Sequence, residues 1–260
     1  MVGLGTGGLG TEAVRTALDI GYTRLDTAEA YGNEAEIGEA IADEDREELF
    51  LTSKVRPANL HYESVIEACE ASIDRLGTDY LDLYLIHWPN PAISLRETLD
   101  AMETLHDEGK VRNVGVSNFS AYQLSNALHI ADVPIALNQV EFHPWFQRPD
   151  LVEYCEETDV VVEASAPLAR TEVFDEELVG ELAETYDKTP AQVVLRWAFE
   201  RDVATIPGSG SADHLEANLA VFDWELEEAD QQRLTDLDRN QAVYEPTPPD
   251  WMGGIFDIPS

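Results

Sequence analysis

Short apolar runs and stretches of helical period alternate along almost the whole chain, and this constrains the fold more than any single motif. The strand-like runs end near Thr6, Asp26, Lys54, Ile86, Val116, Val140, Ala164 and Ile206. Between them, apolar residues recur at helical spacing. Residues 62–76 carry Val65, Ile66, Ala68, Cys69, Ile73 and Leu76 on one stripe and stop at Gly77, which suits a left-handed helix end. Further helical patterns cover 11–20, 35–42, 94–108, 120–130, 149–157, 174–187, 190–200, 211–220 and 226–238, with Thr11 expected to cap the first. Parallel strands need such crossovers, because the chain must return to the same end of the sheet. Eight strand-helix units in 260 residues match a closed (β/α)8 TIM barrel, so an α/β fold in one domain, 1–260, is expected. No repeat, low-complexity run or flexible linker interrupts the pattern.

The amino end offers a competing reading. Gly3, Gly5 and Gly8 spell GxGxxG, a helical pattern follows, and Asp26 stands near where a dinucleotide-binding acid would hold a ribose. That motif needs a preceding strand, and only Met1 and Val2 stand before it. The glycines equally end a short first barrel strand, so the barrel reading is preferred.

Charge narrows the partners. The chain has 52 acids, 16 bases and a formal net charge of −36, and its only lysines are Lys54, Lys110 and Lys188. Such a surface disfavours nucleic acid and anionic membranes. Disorder is excluded by a 44% hydrophobic content with regular periodicity. The expectation is a halophilic protein suited to about 1 M salt, where the Debye length falls to roughly 3 Å. Cys69 and Cys155 lie in helical patterns without CxxC spacing and read as buried thiols. No signal peptide or long apolar run is visible, so a cytoplasmic monomer is the default expectation.

Four residues at strand ends carry chemistry together. Asp26 and Tyr31 lie in Asp26-Thr27-Ala28-Glu29-Ala30-Tyr31-Gly32-Asn33-Glu34; Lys54 closes one apolar run and His87 another. Strand ends converge at one mouth of a barrel. A phenol is a poor acid or base alone, an adjacent ammonium lowers its pKa, and a carboxylate keeps that ammonium charged when buried. His87 adds a hydrogen bond to a reacting oxygen. Such a set protonates a carbonyl oxygen as hydride reaches carbon. No serine or cysteine nucleophile has a visible base, and no clustered His/Cys pattern points to a metal.

The chain resembles the aldo-keto reductase family. The resemblance rests on Gly21 to Ala28 with Tyr31-Gly32-Asn33-Glu34, Arg46 to Lys54, Leu83 to Pro89, Gly109 to Arg112 with Gly115 to Phe119, Asn138 to Glu141 with His143-Pro144, and Ala191 to Trp197. It implies a nicotinamide-dependent carbonyl reductase in which Tyr31 is the general acid, Asp26 and Lys54 tune it, and His87 orients the carbonyl. It also implies that Ser117, Asn118 and Gln139 hold the nicotinamide carboxamide. Two stretches depart from the family pattern. Ala164-Ser165-Ala166-Pro167-Leu168 has Ser165 where an aromatic ring stacks on the nicotinamide. Ile206-Pro207-Gly208-Ser209 has Gly208 and His214 where the cations for a 2'-phosphate stand. Ser209, Ser211 and the helix start after them still suit a phosphate, and Asn218 the adenine. NADP(H) is expected, with NAD(H) or dual use next. Short loops after Lys54 and His87 imply an open mouth lined by Trp88, Phe119, Trp145 and Trp251, with Trp88 and Trp145 expected to meet a small carbonyl substrate. Two alternatives stand beside the reductase: a cofactor-binding regulatory barrel with little turnover, and a Schiff-base aldolase using Lys54.

Overall fold

The computed structural model describes residues 1–244; Trp251 lies outside the described residues. Eight strands form one parallel sheet in chain order: β1 Leu4–Gly5, β2 Arg24–Asp26, β3 Phe50–Val55, β4 Leu83–Ile86, β5 Val114–Ser117, β6 Ile135–Glu141, β7 Val161–Ser165 and β8 Ala204–Thr205. The sheet closes on itself. Val2 bridges Thr205, and the Gly3 and Gly5 amides donate to the carbonyls of Thr205 at 2.8 Å and Pro207 at 3.3 Å. This seam explains the glycine run. A Cβ on Gly5 would lie 2.6 Å from the Ile206 carbonyl oxygen, so only glycine lets β1 and β8 approach. Sequential order and closure exclude the Rossmann reading, whose strand order reverses at a switch point.

The helices are α1 Thr11–Ile20, α2 Glu34–Ile41, α3 Tyr62–Leu76, α4 Leu95–Asp107, α5 Ala121–Ile130, α6 Pro149–Glu157, α7 Glu177–Tyr186, α8 Pro190–Phe199, α9 Ala212–Leu219 and α10 Glu228–Thr235. Gly21 and Gly77 end α1 and α3 at φ 114° and 66°. Capping boxes Ser120/Gln123 and Thr189/Gln192 start α5 and α8. Thr11 does not cap α1. Gly10 holds that position, and the Thr11 hydroxyl instead donates to the Glu36 carbonyl at 3.1 Å, tying α1 to α2. The last helix is shorter than its pattern, ending at Thr235.

Alternate strand residues face inward, as period two requires. Leu83, Leu85 and Leu137 pack inside the barrel against Phe50, separate from the main core between sheet and helices. Gly115 makes room for them: a Cβ there would lie 2.6 Å from Leu85 Cδ2 and 2.7 Å from the Leu137 carbonyl oxygen. We expect Gly115→Val to lower the unfolding free energy by about 1–3 kcal/mol or more through overpacking. Gly180, inside α7, has no atom within 4 Å of an added Cβ, so Gly180→Ala should raise stability by roughly 0.5–1 kcal/mol. Urea unfolding of both variants checks the pair of signs.

Candidate active site

The loop after β2 is fixed residue by residue. The Glu29 carboxylate accepts from the Arg56 amide at 3.1 Å and from Asn59 Nδ2 at 2.6 Å. Asn33 Nδ2 donates to the Thr6 and Leu9 carbonyls at 2.7 and 2.9 Å. Buried Glu34 accepts from Ser53 Oγ at 2.6 Å and from Arg75 Nε at 2.9 Å. Gly32 turns the chain at φ 70° between the short turn Glu29–Tyr31 and α2. The acids and amides around Tyr31 are therefore its mounting.

The mounting brings the four expected residues together. Lys54 Nζ donates to Asp26 Oδ1 at 2.5 Å, to the Thr27 carbonyl at 2.9 Å and to the Tyr31 hydroxyl at 3.4 Å. Lys54 is fully buried and Asp26 nearly so. The His87 ring meets the Tyr31 ring edge-on, with centroids 5.6 Å apart. Burial raises the Tyr31 pKa above its ordinary value, and Lys54 only partly offsets this. The ammonium lowers a phenol that burial has already raised, and burial wins. Burial also pulls Lys54 down, but Asp26 and Tyr31 outweigh it and leave it above its ordinary value. His87 is held well below its ordinary value, first by burial and then by Lys54 and Arg56. Near neutral pH the site therefore holds a neutral imidazole, a protonated phenol and an ammonium.

Two partners escaped the sequence reading. Gln139 Nε2 donates to Asp26 Oδ2 and to Glu163 Oε2, both at 2.8 Å, and Arg24 donates to Glu163 Oε1 at 2.8 Å. Glu163 is fully buried; burial raises its pKa and Arg24 opposes the rise. An acid at an inward position of β7, two before Ser165, was the available signal.

The remaining expected residues spread along the same mouth. Ser117 Oγ donates to the Gln139 carbonyl at 2.9 Å. Asn118, at φ 62°, donates to the His87 carbonyl at 2.9 Å. Ser165 lines a cavity of about 330 Å³ together with Asp26, Tyr31, Gln139, Gly7 and Arg170. Trp88, Asn118 and Phe119 line another, of about 400 Å³. Ser209 is partly exposed and His214 exposed beside the start of α9, where Ser209 Oγ accepts from the Ser211 amide at 3.1 Å. Asn218 is turned inward against Tyr22. Trp145 is buried, donates to Glu176 at 2.8 Å and carries the Arg239 guanidinium on its ring, so it packs the rim. A further cavity of about 330 Å³ at the opposite end, lined by Met1, Phe50 and Leu83, includes none of the four central residues. Burial pushes the Cys69 and Cys155 thiols up to about 12 and about 11, as suits inert core residues. Among the described residues, no group of three or more His, Cys, Asp or Glu could hold a metal ion, and no helix is long and apolar enough to cross a membrane.

Comparison with known proteins agrees with this geometry. Residues 2–239 match the model of the aldo/keto reductase family. The chain is 42% identical over 237 residues to the uncharacterized oxidoreductase YtbE of Bacillus subtilis, covering 89% of this chain and 84% of that protein. It is 40% identical over 235 residues to the glyoxal reductase of the same organism, covering 90% and 85%. Among solved structures it resembles the Bombyx mori aldo-keto reductase AKR2E4 in complex with NADP, with TM-score 0.87, 30% identity, and 94% and 91% coverage. With a family match over almost the whole described chain and relatives at 40% identity or more, the chain belongs to the aldo/keto reductase family, whose members reduce carbonyl compounds with a nicotinamide cofactor.

Proposed function

We propose that the chain reduces a small aldehyde or ketone with Tyr31 as its proton donor. The observation that carries this is the Lys54 ammonium, bonded to Asp26 and within 3.4 Å of the Tyr31 hydroxyl. The nicotinamide, when bound, supplies the hydride. Tyr31 passes its proton to the carbonyl oxygen, and Lys54 stabilises the phenolate left behind. Asp26 keeps Lys54 charged out of water. His87 Nδ1 is buried without a partner among the described residues, so the neutral ring is best protonated at Nε2, from which it orients the carbonyl. Nothing in the site favours the regulatory or Schiff-base alternatives, because an ammonium held charged is a poor nucleophile.

The cleft suits the cofactor in kind. A Cβ on Gly7 would lie 3.8 Å from the Tyr31 ring, so glycine leaves that ring uncovered. Arg170 is the only cation among the described residues lining the cavity, and it suits a pyrophosphate. Ser117 and Asn118, with Gln139, suit the carboxamide. NADP(H) is the proposed cofactor, with Ser209, His214 and the start of α9 receiving the 2'-phosphate. Without a Lys/Arg clamp there, discrimination against NAD(H) is modest. The glyoxal reductase among its relatives makes small dicarbonyls the first substrates to try. We place the enzyme in the cytoplasm as a monomer working at high salt, supported by its net charge of −36.

Three outcomes follow. Tyr31→Phe should lower kcat by about a hundredfold to ten-thousandfold while cofactor affinity stays unchanged, checked by steady-state oxidation of NADPH and NADH with a carbonyl panel. Because reduction needs the phenol protonated and its pKa is raised, while His87 is lowered, kcat/KM for reduction should be flat between about pH 6.5 and 10. A fall within that range would contradict the assignment. The melting temperature should rise between roughly 0.01 M and 1 M KCl, as the Debye length shrinks from about 30 to about 3 Å. A melting temperature independent of salt would remove the halophilic reading.

A further inference from the structure

Strand β7 ends in Ser165, a side chain too small to cover a flat heteroaromatic ring. The cavity that Ser165 lines is also lined by Tyr244, far along the chain, with Tyr31 and Gln139 beside it. Tyr244 is 47% exposed, which leaves much of its surface free. It is not loosely placed. Glu141, at the end of β6, accepts the Val243 amide at 2.6 Å on one oxygen and the Tyr244 amide at 3.1 Å on the other. His143 Nε2 steadies the same carboxylate at 2.8 Å. Upstream, the Arg239 and Gln241 amides donate to the Trp145 carbonyl at 3.2 and 3.0 Å. The Arg239 guanidinium lies 4.1 Å from the Trp145 ring centroid and bonds Glu176 at 2.6 Å. The Arg170 guanidinium lies 5.9 Å from the Tyr244 ring centroid.

We propose that Tyr244 supplies the flat ring against the nicotinamide that β7 lacks at Ser165. The proposal rests on the reading of this cavity as the cofactor cleft. A nearly buried carboxylate spent on two successive main-chain amides has a clear purpose if residue 244 must stay at the cleft. A tyrosine loses few rotamers on ordering and offers a broad face. Glu141 thus acts as a positioning residue, through the backbone that bears Tyr244.

The test is equilibrium titration of wild type, Tyr244→Ala and Tyr244→Phe with NADPH, following the nicotinamide emission, with far-UV circular dichroism confirming that each variant is folded. Tyr244→Ala should weaken NADPH at least about fivefold, the lower end for a lost base-aromatic stack, and Tyr244→Phe should stay within about twofold. Ser165→Trp added to Tyr244→Ala should recover affinity, because the ring then comes from β7. Equal affinity of wild type and Tyr244→Ala overturns the assignment while leaving the cofactor cleft standing. So does a loss that Tyr244→Phe shares, or one confined to the KM of the carbonyl. Absence of both NADPH and NADH binding to wild type overturns both.

Discussion

An ammonium with no access to water dictates much of this structure. Lys54 is fully buried, and an ion of that size placed in a protein interior costs several kcal/mol unless its charge and protons are met. They are met by the Asp26 carboxylate, the Thr27 carbonyl and the Tyr31 hydroxyl. Asp26 in turn needs partners for its second oxygen, and Gln139 provides one while reaching on to Glu163, which pairs with Arg24. The chain of contacts crosses the barrel from β2 and β3 to β6 and β7. Only a closed sheet brings those strands to one axis. Removal of one partner would leave its neighbour buried and unpaired, so fold and chemistry share a single network.

That network also explains how a chain of net charge −36 keeps a cationic function. Inside the barrel two cations, Arg24 and Lys54, face two acids, Asp26 and Glu163, so the interior is balanced whatever the surface carries. Water and salt do not reach these groups as they reach the surface. The surface charge acts on solubility and self-repulsion; the interior charge acts on Tyr31.

Much of this was legible in the chain. Tyr31, Lys54, His87 and Asp26 could be named because each lies at or just past the end of a strand, and parallel strands in a barrel share one mouth. The barrel could be counted because period-two and period-3.6 runs alternate. What failed was long-range or too short. β1 has only two residues, and the preference for a first barrel strand over a dinucleotide motif rested on the lack of a preceding strand. Thr11 was expected to cap α1, yet its hydroxyl found a carbonyl on α2, a partner sequence spacing cannot show. Arg24 and Glu163 were not singled out in the sequence, because their pairing exists only across the closed barrel.

The loop after β7 shows where the fold bears strain. Ala166, Ala169, Arg170 and Thr171 have φ of 46°, 47°, 54° and 73°, a region costing side-chain-bearing residues roughly 1–3 kcal/mol each. All four border the cavity that holds Tyr31, as lining residues or beside one. A relaxed helix would carry Arg170 elsewhere. The left-handed run keeps its guanidinium at the cavity and close to Tyr244, so a cation and an aromatic ring border it beside the plain residues at 165 and 208. Arg170 and Tyr244 both lie outside the strands that carry Asp26 and Lys54. On the proposed reading, cofactor contacts and proton transfer sit on separate elements, so the walls can change while the Lys54 network stays fixed.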